Sequence, residues 1–381
     1  MLNLDFTEEQ DMLREMVRGL LAQHASNEAV RALEDDPVGY SPELWAQLGQ
    51  LDLLGLLLPA EFGGSEMSML EGVIVYEELG RSLAPVPHLV SCVLSAGALV
   101  RAGSPEQRSE WLPRIASGEA ILTPAWLEPE NGFGPLGVQV RATSAGDGFS
   151  LSGTKRHVQF ASSAQRLVVL ARTGDAPADV DLFLVDPQAQ GVTLTQQHSI
   201  SSDTQYQVDL DGVQVAETDR IGAAGTGWAT WERVMEEGMI LAAALANGGA
   251  EHTLDITVQY SKDREQFDKP LGAFQALSHY MADAKTAIDG AKVLTYEAAW
   301  AHSKGRSLGR LAPMAKLFAC NTYRHTTAMA QQIFGGVGFT LEYEVQLYYR
   351  RAKQLQLSWN DTRRCEDLVA EAVLDGDEAA A

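Results

Sequence analysis

The spacing of hydrophobic residues changes twice along this chain, and that change constrains the fold more than any other feature. In residues 1–120 apolar residues recur at helical intervals: Met12, Leu13, Met16, Val17, Leu20 and Leu21 share one stripe behind a Thr7–Gln10 capping-box pair. A turn, "LPAEFGG" (58–64), precedes a second helix through "MSMLEGVIVYEELG", and Ser104 caps a short helix in "GSPEQRSEWLPRIASGE". Over residues 121–225 the pattern alternates: "VQVRATSAGDGFSLSGTKRHVQF", "RLVVLAR", "DLFLVD" and "YQVDLDGVQV" predict strands, with Asp147-Gly148 and Asp211-Gly212 as turns. Strand follows strand without helices between, which predicts an antiparallel β domain and excludes a βαβ sheet. From residue 226 to 370 the helical period returns. Phe274, Leu277, Met281, Ala284, Ile288 and Ala291 step by three and four along a bundle-facing stripe, "SKGRSLGRL" (303–311) marks an interhelical turn, and a further helix covers 311–333. The tail, 371–381, is expected to fray. The fold class is therefore α+β in the order α–β–α, ending in a four-helix bundle.

Composition narrows the function. With 29 basic against 51 acidic residues the net charge is −22, which argues against nucleic acid and anionic membranes as partners. The longest apolar run, "LDLLGLLLP" (51–59), is too short to span a bilayer. The N-terminus "MLNLDFTEEQ" turns polar at once, unlike a signal peptide. Cys92, Cys320 and Cys365 are far apart and odd in number, as in a reducing compartment, so the expectation is a cytoplasmic protein. The eight histidines are scattered and no H-E-x-x-H occurs, so no metal site is expected. There is no phosphate-binding G-x-x-x-x-G-K-[ST]. "GRSLG" (305–309) matches a nucleophile elbow only in spelling, because it lies between helices.

One glycine cluster stands out, "QQIFGGVGFT" (331–340). A dinucleotide loop follows a strand, whereas this one follows a helix. Taken alone, the cluster is better explained as a helix ending on a left-handed glycine. Upstream, "YSKDREQFDKPLGAFQALSHYMADA" (260–284) sets Arg264 three residues before an aromatic and a Pro-Leu-Gly turn. Arginine can clamp a pyrophosphate, but Arg264 could equally form a surface ion pair, and Phe267 could belong to the core.

Together, "LPAEFGG", "GTKRHV", "DREQFDKPLGAFQ" and "QQIFGGVGF…YYRRAK" resemble the acyl-CoA dehydrogenase family of flavoproteins across almost the whole chain. The latter half is most similar to the branch holding bacterial steroid side-chain and other catabolic dehydrogenases. The resemblance implies FAD bound across a subunit interface, an acyl-CoA substrate, α,β-dehydrogenation of its thioester, and an electron-transfer flavoprotein as acceptor. By the same resemblance Arg264 reaches the pyrophosphate, Phe267 packs near the adenosine half, and Gln275 belongs to that pattern. Gln332, Gly335 and Gly336 approach the same ADP portion.

The chain also departs from the family. Most members place the base, a Glu, in a Y-E-G-T stretch; here "RRAKQLQLSWND" puts Trp359 there, or Asn360 if shifted by one. A minority carry the Glu on the helix before the flavin Arg, a position held by Gly238, with Glu237 adjacent and Met239 where an Arg often follows. Glu236 and Glu237 have surface roles as their plainer assignment, with Glu237 the weak candidate for an unusual base. Glu128-Pro129 matches a family pair, but "ENGFG" replaces the Gly-Ser-Asp that follows and Leu127 the usual hydroxyl residue. Gly153 and Lys155 fit G-x-K, while His157 and Gln159 replace the aromatic and Ser/Thr that flank the flavin ring. ADP-half residues are kept and residues for the chain's own ring, thioester and base are changed. This pattern implies one subunit of a heteromer with a paralogous partner. The alternatives are a self-sufficient homo-oligomer, another flavin chemistry such as desulfination or monooxygenation, and a non-catalytic scaffold that binds acyl-CoA.

Overall fold

A computed structural model describes residues 6–129 and 131–375. The first elements are helical: α1 (Glu8–His24), α2 (Asn27–Ala32), α3 (Pro42–Gln50), α4 (Met69–Arg81), a π-helical turn at Leu89–Ser95, α5 (Ala96–Ala102) and α6 (Pro105–Ala116). Strands follow: β1 (Leu122–Ala125), β2 (Arg141–Ala145), β3 (Gly148–Gln159), β4 (Arg166–Arg172), β5 (Val180–Val185), β6 (Val192–Gln197), β7 (Gln205–Ala216) and β8 (Arg220–Ile221). Helices then return as α7 (Gly227–Asp263), α8 (Gln275–Ser303), α9 (Leu311–Phe334), α10 (Val345–Leu357) and α11 (Thr362–Ala370), with a small hairpin of β9 (Glu265–Gln266) and β10 (Lys269–Pro270) after α7. Helical ends thus flank a middle sheet. Of the tail, Glu371–Asp375 forms a helical turn, and residues 376–381 lie outside the described residues.

The chain forms two compact units, one of residues 1–30, 68–84 and 239–381, the other of residues 31–67 and 85–238. In the first, Thr7 and Gln10 close the capping box of α1, and Ser68 with Glu71 closes that of α4. The buried stripe of α1 is narrower than its spacing predicts. Val17 and Leu21 are buried, while Met12 and Met16 are exposed. Polar anchors do the rest: Arg18 donates twice to Glu78 of α4 (2.9 and 2.7 Å), and Arg14 reaches Glu77 (3.2 Å). Glu77 is itself buried, and burial pushes its carboxyl above the usual range against the pull of Lys292, the Tyr296 hydroxyl and Arg14. On α8, Met281, Ile288 and Ala291 are buried as their spacing requires, and Phe274 precedes the helix as its N-cap.

The second unit is built on an eight-stranded sheet ordered β6-β7-β3-β2-β4-β5-β8, with β1 added on β4. It is antiparallel except for β1, which runs parallel to β4, and one parallel β2–β4 bridge. The continuous apolar runs of β4 and β5 are buried along nearly their whole length, as strands covered on both faces must be. Two turn assignments shift. The β2–β3 hairpin pairs Ala145 with Gly148, so its two-residue turn is Gly146-Asp147, with Gly146 at φ 59°. Asp211-Gly212 makes no turn. β7 runs through it, and the register with β3 slips between Leu151 and Gly153, leaving a bulge in which Gly212 adopts φ 65°. Both segments offer a glycine at positive φ, and strand pairing decides whether the result is a turn or a bulge.

Candidate functional site

In the first unit the structure gathers the ADP-half candidates at one end of the bundle. Beyond α7, Gln266 pairs with Lys269, so Phe267-Asp268 is a two-residue turn, and both residues are left-handed (φ 57° and 62°). Such a turn normally takes Asn or Gly. A phenylalanine there is strained and persists because its surroundings hold it. The surroundings are a backbone bond from Leu271 N to Arg264 O (2.9 Å) and an edge contact of Phe267 with Phe274 (6.1 Å between centroids). Phe267 is thereby held 86% exposed, so it is no part of the core. Arg264 is exposed and its guanidinium makes no ion pair or hydrogen bond among the described residues. Gln275, the first residue of α8, and Gln332, in the last turn of α9, are likewise exposed with unpartnered amides.

An aromatic stack joins the two segments. Phe334, the last residue of α9, lies flat on Tyr260 of α7 (4.1 Å, 14°), with Tyr343 edge-on to both. Arg264 N donates to Tyr260 O (2.9 Å), so Arg264 stands one helical turn beyond the stack, and Gly335 follows it directly. Gly335 ends α9 at φ 66° and ψ −143°, outside the left-handed helical well, a conformation open only to glycine. A side chain on Gly335 or Gly336 would meet nothing within 4 Å, so these glycines leave the backbone bare to the outside and serve no internal packing. Tyr260 and Phe334 carry the geometry, although neither residue type nor spacing singled them out.

Trp359 and Asn360 lie in the same unit, both buried and both left-handed (φ 55° and 69°). The buried Lys316 donates to Asn360 O (2.6 Å), the Asn360 amide points at Met239 Sδ (3.6 Å), and Asp361 caps α11 through Arg364 N (2.8 Å).

The second unit holds the other candidates, and there polar atoms are spent on one another. Lys155, fully buried, bonds Glu128 Oε1 (2.6 Å), and Glu128 also accepts from Gln139 N and Val140 N. Burial pulls the Lys155 ammonium down to about 8 while the Glu128 carboxylate opposes that pull. His157 Nδ1 pairs with Gln205 Oε1 (2.8 Å), and its backbone N–H donates to Gln197 (2.9 Å). Gln159 Nε2 lies 3.5 Å from Asp203, whose carboxylate also accepts from Ser199 (2.7 Å) and Ser201. Asp203 and Gln205 are the residues that sequence patterning missed, because they reach Gln159 and His157 from the loop before β7 and from its first residue. Glu237 does not stand free: it is ion-paired with Arg101 of α5. Neighbouring Glu236 pairs with Arg233 (3.3 Å), and burial holds its carboxyl above the usual range. Gly238 faces Leu94, and a side chain there would come within 2.7 Å of it.

Residues 7–119 match the family description "Acyl-CoA dehydrogenase, N-terminal domain" and residues 225–358 "Acyl-CoA dehydrogenase, C-terminal domain". The chain is 33% identical to cyclohex-1-ene-1-carbonyl-CoA dehydrogenase of Geobacter metallireducens, over 92% of this chain and 94% of that one. It is 32% identical to acyl-CoA dehydrogenase FadE27 of Mycobacterium tuberculosis, over 93% and 95%. This chain belongs to the acyl-CoA dehydrogenase family. Among solved structures, a chain of the ChsE4–ChsE5 complex from Mycobacterium tuberculosis superposes with a TM-score of 0.89 at 28% identity, covering 98% of this chain and 99% of the other.

Members of this family are flavin-dependent oxidoreductases. Among the described residues no group of three or more His, Cys, Asp and Glu could hold a metal. No described helix is long and apolar enough to cross a membrane.

Proposed function

We propose that this chain is one subunit of a heteromeric, FAD-dependent acyl-CoA dehydrogenase, and that it lends its bundle end to a partner's active site. The observation that carries the reading is the contrast between Arg264, Gln275 and Gln332, exposed and unpartnered, and the base positions, which hold Trp359 and Gly238. The described residues fit the ADP half of FAD. A free guanidinium can take the pyrophosphate bidentately, two free amides supply directional bonds, and bare glycine backbone permits close approach.

FAD, when bound, accepts the β-hydrogen of the acyl thioester as hydride. The α-proton needs a carboxylate base, and this chain does not supply one at either family position. The loop around Trp359 favours its assignment to the Glu of Y-E-G-T: left-handed Asn360 suits the glycine position, and Asp361 caps α11 as the threonine would. Glu237 is engaged by Arg101 through Oε1, which stabilises it as a charged ion-pair partner. On the sheet, His157 and Gln159 are bonded to this chain's own Gln205 and Asp203 instead of standing free for a flavin ring. The thioester substrate and its base then belong to the partner. Similarity to a chain of the ChsE4–ChsE5 complex supports a paralogous partner. Similarity to a subunit of a caffeyl-CoA reductase–Etf complex supports an electron-transfer flavoprotein as redox partner, which for a dehydrogenation would be the acceptor. Three buried free thiols, Cys92, Cys320 and Cys365, are in keeping with a reducing, cytoplasmic setting.

The test is the ratio of flavin to chain, measured by absorbance on the isolated protein and on protein co-expressed with a paralogue. Flavin should be retained only in the co-expressed assembly. Full flavin occupancy with acyl-CoA turnover by the isolated chain would sink the reading. Loss of that turnover in Glu237→Gln would establish the self-sufficient alternative.

A further inference from the structure

We propose that Gln331 is the positioning residue of the glycine turn Gly335–Phe339, and that its amide gains a partner from that turn only when a pyrophosphate-bearing ligand occupies the turn's outer side. The inference rests on the ADP-half reading given above. Gln331 is 6% exposed, yet neither Nε2 nor Oε1 of its amide has a hydrogen-bond partner. A buried amide with both ends unmet is rare, and the unmet groups destabilise whatever state leaves them so.

The amide lies directly under the turn. A side-chain carbon on Gly338 would sit 2.5 Å from Gln331 Oε1 and 3.0 Å from Phe334 Cβ, so only glycine lets the turn lie so close. Gly335 and Gly336, by contrast, are exposed, and a side chain on either would meet nothing within 4 Å. The peptide between two consecutive glycines can rotate with little steric resistance, and Gly335 already occupies a conformation reserved for glycine. Rotation that turns a peptide N–H outward turns the carbonyl of the same peptide inward. Outward N–H groups suit phosphate oxygens. An inward carbonyl suits Gln331 Nε2 as its donor's missing acceptor. One rotation therefore serves the ligand and gives Nε2 of the buried amide its acceptor, and the unmet donor biases the turn toward the ligand-bound form.

The experiment is hydrogen–deuterium exchange across residues 335–340 of the full-length chain, with and without saturating ADP as the probe, beside thermal melting without ligand. In the unmodified chain ADP should slow exchange about tenfold. Gln331→Leu should lose most of that protection and should melt about 2 °C higher without ligand, because an apolar group of similar size removes the unmet amide. Undiminished ADP protection in Gln331→Leu, or a lower melting temperature, overturns the inference. Arg264→Ala separates the two proposals. If it abolishes ADP protection while Gln331→Leu keeps it, the ADP reading stands and the role of Gln331 falls. If ADP protects nothing in the unmodified chain, both fall. Should Gln331→Leu not fold, Gly338→Ala, which pushes the amide off the turn, must show the same loss of protection.

Discussion

The bundle end around Arg264 and the strands around Lys155 are both rich in polar side chains, and the chain treats them in opposite ways. The side chains of Arg264, Gln275 and Gln332 are exposed and bond nothing among the described residues, whereas Lys155, His157 and Gln159 are bonded to Glu128, Gln205 and Asp203. A polar group left in water costs little and stays available to a partner. One taken from water must be paired within the fold. Of the engaged groups Lys155 and Glu128 are buried, Gln159 is half-buried and His157 is exposed, so the difference separates side chains left open to solvent from side chains engaged within the fold, and substitutions on the two sides should fail in different assays.

The largest effect is expected inside the sheet unit. Lys155→Ala leaves Glu128 buried without its cation, which should cost about 3–5 kcal/mol of stability. Urea denaturation would show this as a large fall in midpoint. A shift below 1 kcal/mol would mean that the pair is hydrated and that the two regions differ less than their bonding suggests.

Acid tests the same interior next. His88 is buried, its Nε2–H donates to Leu53 O (2.9 Å), and burial lowers its pKa from 6.5 to about 4. The unfolded chain therefore takes up this proton first. The stability contribution is complete above pH 6.5 and is lost as pH falls from 6.5 through 4, by about 3 kcal/mol in all. His88→Gln, which keeps a donor that cannot titrate, should flatten that part of the profile. An unchanged slope in urea midpoints across this range would place the acid-sensitive group elsewhere.

Much of this architecture is legible from local sequence. The Thr7 capping box, the Ser104 cap and the α8 stripe through Met281 and Ile288 stand where spacing puts them, because each depends on residues within one or two turns. What escaped depends on distant partners. The bulge at Asp211-Gly212 arises from register against β3, the exposure of Met12 from how much of α1 is covered, and the engagement of His157 from Gln205, 48 residues away. For the candidate site, motif residues were visible but not their state. Whether Arg264 is paired or free, and whether Gln331 is met or unmet, is a property of packing that no periodicity carries.

On the binding side, Arg264→Ala should leave the melting temperature of the free chain within 1 °C, since the guanidinium bonds nothing there. In the co-expressed assembly it should weaken flavin retention about 10–100-fold, the loss of one charge-assisted contact worth about 1.5–3 kcal/mol. Flavin dissociation followed by fluorescence measures this. A large stability loss without flavin loss would make Arg264 a structural residue and collapse the contrast.

The smallest effect is the most discriminating. The bond from Gln159 to Asp203 is long, 3.5 Å, and Asp203 keeps its Ser199 and Ser201 donors without it. Gln159→Thr should therefore change stability by no more than about 0.5 kcal/mol. The substitution places a hydroxyl where the family flanks the flavin ring. If that single position kept a ring off this sheet, the isolated variant would gain flavin. It should gain none, because His157 remains tied to Gln205 and Gln197, and no substitution at residue 159 releases those bonds. A yellow Gln159→Thr protein would show that the sheet is one residue from binding and that its polar network does not by itself exclude a flavin.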